Sequence, residues 1–333
     1  MKKLKWGILS TAKIGTQKVI PGLLKSDQLE VHAIASRNLK NAEKHADTLD
    51  IPNAYGSYEA LLEDPEIDII YNPLPNHLHV EWTAKAIQAG KHVLCEKPLF
   101  LDPKEAQLLI QMRDKYRVKV GEAFMVKSHP QWKKAFEIIY SKDFGDILTY
   151  NATFSYFNVD PNNIRNIAEY GGGALWDIGC YPTMTSRYLF KENPLRVQAS
   201  IKNDPEFKTD VLSTAILEFP NNKKATFSVS TQASPYQRVH VLGTKMELEI
   251  IIPFNAPLGE ATAMKINTGD ITLESDQWIE IPPCDQYQLQ GEEFSTAVLN
   301  NTEVPVTLED AYDHSRIITA LFEAAKKEEW VKV

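Results

Sequence analysis

Short apolar runs alternate with segments of helical spacing over the first part of the chain. The runs predict strands at 6–9, 31–35, 67–71, 92–95 and 118–120. The apolar spacing predicts helices at 13–25, 39–49 and 80–89, and one from Asp102-Pro103, where an N-cap residue precedes a proline. Strands that alternate with helices indicate crossover connections and a parallel sheet. We therefore predict a doubly wound, Rossmann-type α/β domain over residues 1–122.

The pattern changes near residue 145, where β-rich segments bounded by Asn, Gly, Pro or Asp begin. They lie at 147–157, 195–202, 211–219, 225–231, 237–243 and 246–252. Asn221-Asn222 separates two of them and is typical of a hairpin turn. Helical spacing returns at 286–300 and 307–327. We predict an α+β domain with a largely antiparallel open sheet over 123–333, and we allow for a C-terminal helix that packs back on the first domain.

Length and composition exclude several classes of protein. The chain has 333 residues, which suggests two domains, and a net charge of −8, which argues against nucleic-acid and anionic-membrane partners. Cys95, Cys180 and Cys284 are widely spaced and include no C-x-x-C pair, so we predict neither a disulfide framework nor a zinc site. No long apolar run spans a membrane. We expect a cytoplasmic protein without a metal.

The turn after the first predicted strand is a candidate phosphate cradle. Set against the G-x-G-x-x-G fingerprint, Ser10 and Ala12 replace the first two glycines and only Gly15 matches. An ordinary strand-to-helix turn explains the pattern equally well. Amides at the start of the following helix would still point at a phosphate. The cofactor contacts predicted in this turn are Ser10, Thr11, Ala12, Lys13 and Ile14.

The end of the second strand distinguishes between two dinucleotides. NAD-binding sheets usually carry Asp or Glu here, to accept from the ribose 2′-hydroxyl. This chain has Ser36-Arg37 instead. A hydroxyl and a guanidinium suit a 2′-phosphate, so Ser36 and Arg37 predict NADP, with NAD as the second choice. A solvated loop arginine is the alternative.

Two prolines stiffen the turn after the 67–71 strand. Pro73, Leu74, Asn76 and His77 are predicted to wall the nicotinamide or ribose, and Asn76 is a candidate N-cap for the next helix. His77 and His79 are two residues apart, so on a helix they would not form a metal pair. A helix-start or surface role is expected for His79.

The next strand ends in Glu96-Lys97-Pro98, and this motif resembles the signature of the glucose–fructose oxidoreductase / inositol dehydrogenase (Gfo/Idh/MocA) family. The branch it most resembles holds NADP-dependent xylose dehydrogenases and dihydrodiol dehydrogenases. The segments that carry the resemblance are 7–12, 73–77, 89–98 and 171–182. The resemblance implies a substrate domain with a dimer interface on the open face of its sheet. It also implies that Tyr181 stands in the acid/base position where other members carry histidine.

The residue types also support a dehydrogenase reaction independently of the family resemblance. Oxidation of an alcohol moves a hydride to the nicotinamide, and the protein must hold the carbon and accept the proton. Lys97 or Tyr181 can exchange that proton. Asp177 lies four residues before Tyr181, so on a helix both face one side and Asp177 can bind a substrate hydroxyl. Glu96 is expected to orient Lys97 or to contact the ribose.

The alternatives are structural. Instead of a role in the reaction, Lys97 could be an ordinary solvated lysine. Tyr181 could be a core residue, and Asp177 could be a helix cap. Arg165 is a candidate cofactor or substrate contact, with a surface salt bridge equally expected, and His129 is expected to start a helix. Cys95 and Cys180 are expected to be buried and not nucleophilic.

The leading hypothesis is an NADP-dependent dehydrogenase or reductase acting on a sugar, polyol or cyclic diol as a homodimer or a dimer of dimers. A non-catalytic NAD(P)-binding sensor is the alternative. A Rossmann methyltransferase is disfavoured by Ser36-Arg37, because the methyl donor's ribose usually meets an acidic residue there.

Overall fold

A six-stranded parallel sheet organises the N-terminal part of the chain, whose residues 3–333 are described by a computed structural model. Its strands are β1 (Leu4–Leu9), β2 (Leu29–Ala35), β3 (Asn53–Tyr55), β4 (Ile69–Asn72), β5 (His92–Glu96) and β6 (Val120–Ala123). They lie in the order β3-β2-β1-β4-β5-β6. The strand order reverses between β1 and β4, and such a switch point is where ligands bind in open α/β sheets.

Helices connect these strands in parallel crossovers, as the alternating pattern predicts. They are α1 (Ile20–Leu23), α2 (Leu39–Leu49), α3 (Tyr58–Glu63), α4 (His79–Gln88) and α5 (Ala106–Tyr116), and α6 (Met125–Ser128) follows β6. Short 3₁₀ turns precede α4 and α5, at Asn76–Leu78 and Pro103–Glu105. The predicted bounds of α2 are confirmed, whereas β3 and α3 were not predicted.

The predicted helix at 13–25 is less regular than expected. A π-helical turn covers Gly15–Val19 and α1 follows it. Pro21 has no N–H to donate, and just before it the Ile20 N–H bonds to the Gly15 carbonyl five residues back.

Nine strands form a second, mostly antiparallel sheet. They are β7 (Ile147–Phe157), β8 (Arg196–Asn203), β9 (Asp210–Glu218), β10 (Lys224–Ser230), β11 (Gln232–Gly243), β12 (Glu247–Ile250), β13 (Thr262–Asn267), β14 (Gln277–Ile281) and β15 (Val331–Lys332). Their order is β14-β13-β12-β11-β7-β10-β9-β8-β15, and only β7 and β10 pair in parallel. The hairpin predicted at Asn221-Asn222 is confirmed, because both residues have positive φ (58° and 59°) and join the antiparallel pair β9–β10. Strands β13 and β14 were not predicted.

Four more helices complete the chain: α7 (Pro130–Ile139), α8 (Cys180–Phe190), α9 (Gln286–Leu299) and α10 (Leu308–Lys327). His129 starts α7 as its N-cap, and its Nδ1 accepts from the Gln131 N–H at 3.1 Å, which confirms the helix-start role. A π-helical turn at Leu175–Gly179 leads into α8. Within residues 3–333, no helix is both long enough and apolar enough to cross a membrane.

Contacts divide the chain into two units. The first unit extends to Ser128 and also includes Asp285–Tyr312, while the second contains His129–Cys284 and Asp313–Val333. This division differs from the predicted boundary after residue 122, because α9 returns to the first unit. There Trp6 of β1 is fully buried, meets Phe294 of α9 edge-on and bonds through Nε1 to the Ser295 hydroxyl at 3.2 Å.

Candidate active site

Most of the predicted cofactor contacts follow four neighbouring strands of the first unit. Strands β2, β1, β4 and β5 pair in parallel, so their carboxyl ends share one edge of the sheet. The turns after these strands contain the predicted residues of segments 10–14, 36–37, 73–77 and 96–97. The first unit therefore brings thirteen of the fourteen predicted cofactor contacts to the edge next to its switch point, and Arg165 alone belongs to the second unit.

Ser10 has the backbone conformation that the first glycine of the fingerprint would favour. Its φ is 70°, in the left-handed region, which costs a non-glycine residue about 1–2 kcal/mol. Its hydroxyl accepts from the Ala12 N–H at 3.2 Å, a bond that glycine cannot make. The Ala12 carbonyl in turn accepts from the Thr16 N–H at 3.0 Å, which begins the helix. The turn is thus built without glycine at its first two fingerprint positions.

Asn41 of α2 joins the first two turns. Its amide donates to the Thr11 hydroxyl at 2.7 Å and to the Ser36 hydroxyl at 3.2 Å. Its own N–H is capped by the Asn38 side chain. Asn41 was not predicted, although the Asn38 cap three residues earlier places it in the first turn of a helix.

Positive charge collects beside the end of β2. Arg37, Lys40 and Lys44 line an open pocket of about 790 Å³, whose remaining lining residues are Ser36, Asn38 and Asn41. No carboxylate lines this pocket. Arg37 also lies next to Tyr58, where its charge opposes the rise in the pKa of Tyr58 that burial causes. This donor set fits a phosphorylated ribose better than a free 2′-hydroxyl.

Lys97 is half-buried directly after β5, and its peptide bond to Pro98 is cis. Beside it, the Glu96 carboxylate accepts from the Tyr71 hydroxyl at 2.7 Å. Burial raises the pKa of Glu96, while Tyr71 and the charge of Lys97 oppose that rise. Burial also raises the pKa of Tyr287 of α9; Glu96 adds to that rise and Lys97 opposes it. Lys97 therefore lies beside the Glu96 carboxyl group, which binds Tyr71, and it interacts electrostatically with the Tyr287 phenol; neither tyrosine was predicted.

The turn after β4 is held by a buried amide. The Asn72 side chain donates to the His79 carbonyl and to the Thr83 hydroxyl, both at 3.2 Å, and it accepts from the Leu74 N–H at 3.3 Å. His79 begins α4 and is completely buried, so the surface role expected for it is wrong and the helix-start role is confirmed.

The N-cap role expected for Asn76 is also wrong. Asn76 is the first residue of the 3₁₀ turn, and its position places it after the N-cap residue Pro75.

Asp177 of the second unit accepts two hydrogen bonds at one oxygen. Its Oδ2 receives the Tyr156 hydroxyl at 2.6 Å and the Arg165 Nε at 2.9 Å. The charge of Asp177 is the main cause of a raised pKa for Arg165, and Tyr156 and Tyr181 add to it. The expected salt bridge of Arg165 is thus present, with the arginine 44% exposed. Tyr156 is a further residue that the sequence analysis missed.

The glycine run before α8 allows two close backbone approaches. A Cβ on Gly172 would lie 2.5 Å from the Arg165 carbonyl oxygen. Gly173 has a φ of +111°, and a Cβ there would overlap the Asp210 carboxylate. That carboxylate accepts from the Leu175 N–H at 2.8 Å, so Asp210 caps the turn that leads into α8. The cap that was the structural alternative for Asp177 is supplied by Asp210.

The Tyr181 ring lies in an aromatic cluster. It meets Phe154 with a centroid distance of 5.7 Å and Phe254 at 5.5 Å, and only 6% of the residue is exposed. Its electrostatic interaction with Arg165 indicates that the phenol end lies near the charged pair. The ring is therefore part of the core, and the hydroxyl lies on the side of Arg165 and Asp177.

The cysteines are free thiols. Cys95 and Cys180 are buried, as expected, and burial raises the pKa of Cys95 well above its ordinary value. A thiol with a raised pKa is a poor nucleophile. Among residues 3–333, no group of three or more His, Cys, Asp or Glu side chains is placed to hold a metal ion.

Known proteins resemble the chain along its whole length. Residues 4–124 match the oxidoreductase family with the NAD-binding Rossmann fold (GFO_IDH_MocA), and residues 132–249 match the GFO/IDH/MocA C-terminal domain. An uncharacterized oxidoreductase of Rhizobium meliloti is 40% identical over 100% of both chains. The D-xylose 1-dehydrogenase (NADP(+)) 2 of Haloferax volcanii is 35% identical, covering 96% of this chain and 97% of its own.

A solved structure agrees in fold. The 3-ketoreductase KijD10 of Actinomadura kijaniata, in complex with NADP and TDP-benzene, superposes with a TM-score of 0.90 at 27% identity, covering 97% of this chain and 98% of its own. The predicted fold class is confirmed. These matches, the parallel sheet and the motifs along its edge together show that the chain belongs to the Gfo/Idh/MocA family of oxidoreductases.

Proposed function

We propose that this protein is an NADP-dependent oxidoreductase that transfers a hydride between NADP(H) and a hydroxyl or carbonyl carbon of a sugar, polyol or cyclic diol. The observation that carries the proposal is the position of Lys97, half-buried directly after β5 beside Glu96 at the switch-point edge. The relatives that act on D-xylose and as a 3-ketoreductase support this substrate class.

The first unit offers a complete set of groups for the dinucleotide. NADP, when bound, supplies the hydride acceptor or donor. The cationic pocket of Arg37, Lys40 and Lys44 would hold the 2′-phosphate. The other groups proposed to hold the dinucleotide are Ser10, Thr11, Ala12, Lys13, Ile14, Ser36, Pro73, Leu74, Asn76, His77, Glu96 and Lys97. NAD is the weaker alternative, because three cations would then lack a phosphate partner.

Lys97 and Tyr181 are the proposed acid–base groups. When the alcohol carbon loses its hydride, the hydroxyl proton passes to the Lys97 amine or to the Tyr181 phenolate, and in reduction the same group returns it. The groups beside Lys97 suit proton exchange. Burial raises the pKa of Glu96, and the Glu96 carboxylate accepts a hydrogen bond from the Tyr71 hydroxyl. The positive charge of Arg165 favours the phenolate form of Tyr181.

Asp177 is proposed to orient the substrate. Its bonds to Tyr156 and Arg165 fix the carboxylate, so it can accept from a substrate hydroxyl without reorganising. Arg165 keeps its proposed role as a cofactor contact in addition to its ion pair. Neither group has to gain or lose a proton in this role.

The test of the proposed function is a panel of aldoses, polyols and cyclic diols, assayed by the absorbance of reduced nicotinamide with NADP and with NAD. Wild type is compared with Lys97→Ala and with Lys104→Ala, a matched change at an exposed lysine. We expect turnover of at least one panel member with NADP, loss of turnover in Lys97→Ala only, and a larger rise in melting temperature with NADP than with NAD. Equal turnover in all three proteins would overturn the role of Lys97. Dinucleotide binding without any turnover would favour the sensor alternative.

A homodimer, or a dimer of dimers, is proposed to form through the open face of the nine-stranded sheet. Leu212, Ile216, Tyr236 and Trp278 leave large apolar side chains exposed on that face. Exposed apolar surface of this kind is typical of a protein interface. Sedimentation of Ile216→Arg, with Leu108→Arg on α5 as the matched exposed control, tests the proposal. A wild-type monomer, or an Ile216→Arg protein that stays dimeric, would refute it.

We place the protein in the cytoplasm. The three free thiols support this, because a reducing compartment preserves them. Fractionation of the source cells with an antibody to the protein would test the location, and recovery in a membrane or secreted fraction would contradict it.

A further inference from the structure

The ring of His79 lies between two backbone carbonyls of the first unit. Its Nδ1 is 2.8 Å from the Pro98 oxygen, and its Nε2 is 2.6 Å from the Leu74 oxygen. A carbonyl oxygen can only accept a hydrogen bond. Both ring nitrogens therefore need an N–H to make these two contacts. His79 is completely buried, so its ring has no contact with bulk water.

A neutral imidazole carries only one N–H. In the neutral ring, one nitrogen lone pair would face a carbonyl oxygen at hydrogen-bond distance, which leaves two buried acceptors unpaired. In the imidazolium, both contacts become charge-assisted hydrogen bonds, which are roughly twice as strong as neutral ones. The two short distances together favour the charged ring.

Glu122 provides a counter-charge. It lies on β6, is only 3% exposed, and accepts from the Leu99 N–H at 2.8 Å. Burial is the largest influence on the pKa of His79 and leaves it below its ordinary value, although the two carbonyls and the charge of Glu122 oppose that lowering. The two short carbonyl contacts, and not this balance of influences, are the ground for the charged ring. Lys97 is the other charged group near the ring, and its like charge opposes the imidazolium.

We propose that His79 is a doubly protonated imidazolium at neutral pH and acts as a positioning residue for Lys97. The charged ring ties the turn at Leu74 to Pro98, the residue that directly follows Lys97, and so fixes the backbone from which the lysine extends. Its charge also favours the neutral amine of Lys97, which is the form that accepts a proton. This second part rests on the proposed function; the protonation of His79 does not.

The protonation state can be read directly by nuclear magnetic resonance of the full chain labelled with ¹⁵N-histidine, with His79→Gln used to assign the resonances. We expect both His79 nitrogens in the protonated range, without titration from about pH 6 to about pH 9. His129 is an internal control, because it is also buried but its Nδ1 accepts from Gln131, so it must show one unprotonated nitrogen. An unprotonated His79 nitrogen at neutral pH would overturn the proposal.

Glu122→Gln tests the counter-charge in the same spectrum. Glutamine can still accept from the Leu99 N–H, but it lacks the charge. We expect the His79 ring to lose a proton within the same pH range in this variant. If both nitrogens stay protonated throughout, Glu122 is not the partner of the imidazolium.

The positioning role is tested by the kinetics of His79→Gln. We expect kcat to fall by about 10²-fold, as for a misplaced catalytic group, while KM for the dinucleotide stays within about two-fold. In the oxidation direction, where the neutral amine accepts the proton, the rising acidic limb of the pH–rate profile should move to higher pH, because Lys97 loses a neighbouring positive charge. An unmoved limb would limit His79 to a structural role. If Lys97→Ala keeps its turnover while His79 is doubly protonated, the role of Lys97 fails and the imidazolium stands.

Discussion

Lys97 and Tyr181 lie in two environments whose carboxyl groups differ. One carboxyl has a raised pKa and the other forms an ion pair. Next to Lys97, burial raises the pKa of Glu96, and the carboxyl shares a hydrogen bond with Tyr71. Near Tyr181, the carboxylate of Asp177 is paired directly with Arg165 at 2.9 Å. The first environment holds groups that can exchange protons, and the second holds charges that stay fixed.

The difference indicates a division of tasks. Proton transfer needs groups whose pKa is close to the working range, whereas orientation needs charges that do not change. The neighbouring carboxyl of Glu96, with its raised pKa, makes Lys97 the stronger candidate for direct proton exchange, and the Asp177–Arg165 pair is the stronger candidate for holding the substrate. Tyr181 belongs to the second environment, with a ring in the aromatic core and a phenol near Arg165, and it is the second candidate for proton exchange.

Lys97→Ala should have the largest effect. We expect turnover to fall by about 10⁴-fold, the upper end for a lost general acid or base, with NADP affinity within a few-fold of wild type. Steady-state kinetics and calorimetric titration of NADP measure the two quantities. Retained turnover would reverse the division of tasks.

Tyr181→Phe should have a smaller effect, a loss of about 10²- to 10³-fold in turnover. Phenylalanine keeps the packing against Phe154 and Phe254, so the melting temperature should hardly change. Tyr150→Phe is the matched control, since Tyr150 is also buried in the second unit and its hydroxyl contacts Thr185 at 2.6 Å. That variant should lose stability and keep its turnover. A larger loss for Tyr181→Phe than for Lys97→Ala would make the phenol the direct proton group.

His129 should make the stability of the protein depend on pH. Burial lowers its pKa from 6.5 to about 4, so the unfolded chain binds the proton first. The free energy of unfolding should therefore fall by about 3 kcal/mol as the pH drops from 6.5 to about 4. Chemical denaturation of wild type and His129→Asn, which keeps an N-cap acceptor, measures the difference. An equal pH dependence in both proteins would show that His129 is not buried and neutral.

Arg37→Ala should have the smallest effect and should separate the two dinucleotides. Loss of a charge-assisted contact to a 2′-phosphate should weaken NADP by about 10- to 100-fold and leave NAD nearly unchanged. Lys18→Ala removes an exposed cation elsewhere in the first unit and serves as the control. Equal weakening of both dinucleotides would mean that Arg37 does not contact the 2′-phosphate.

Sequence alone predicted most of the fold and brought most of its candidate cofactor contacts to one edge of the first sheet. The strands and helices of the first unit follow local apolar periodicity, which needs no tertiary information, and the bounds of α2 agree with the prediction. The short elements β3 and α3 were missed because three to six residues carry too little periodicity to stand out. The return of α9 to the first unit was left open, because the packing of Phe294 against Trp6 joins residues far apart in the chain.

The site residues that sequence missed come from distant elements. Tyr71 of β4 binds Glu96, Tyr287 of α9 interacts electrostatically with Glu96 and Lys97, and Tyr156 of β7 binds Asp177. The surface role expected for His79 was wrong because nothing in its sequence neighbourhood indicates complete burial between two carbonyls.

The sequence by itself determined the α/β class, the family and the order of the turns along the sheet edge, because strand ends and short motifs depend on neighbouring residues. Only the tertiary structure decided which charges are paired and which protons are shared. Hydrogen bonds such as those of Asp177 with Tyr156 and of His79 with Pro98 join residues that are distant in the chain, and the burial that raises the pKa of Glu96 also depends on tertiary packing.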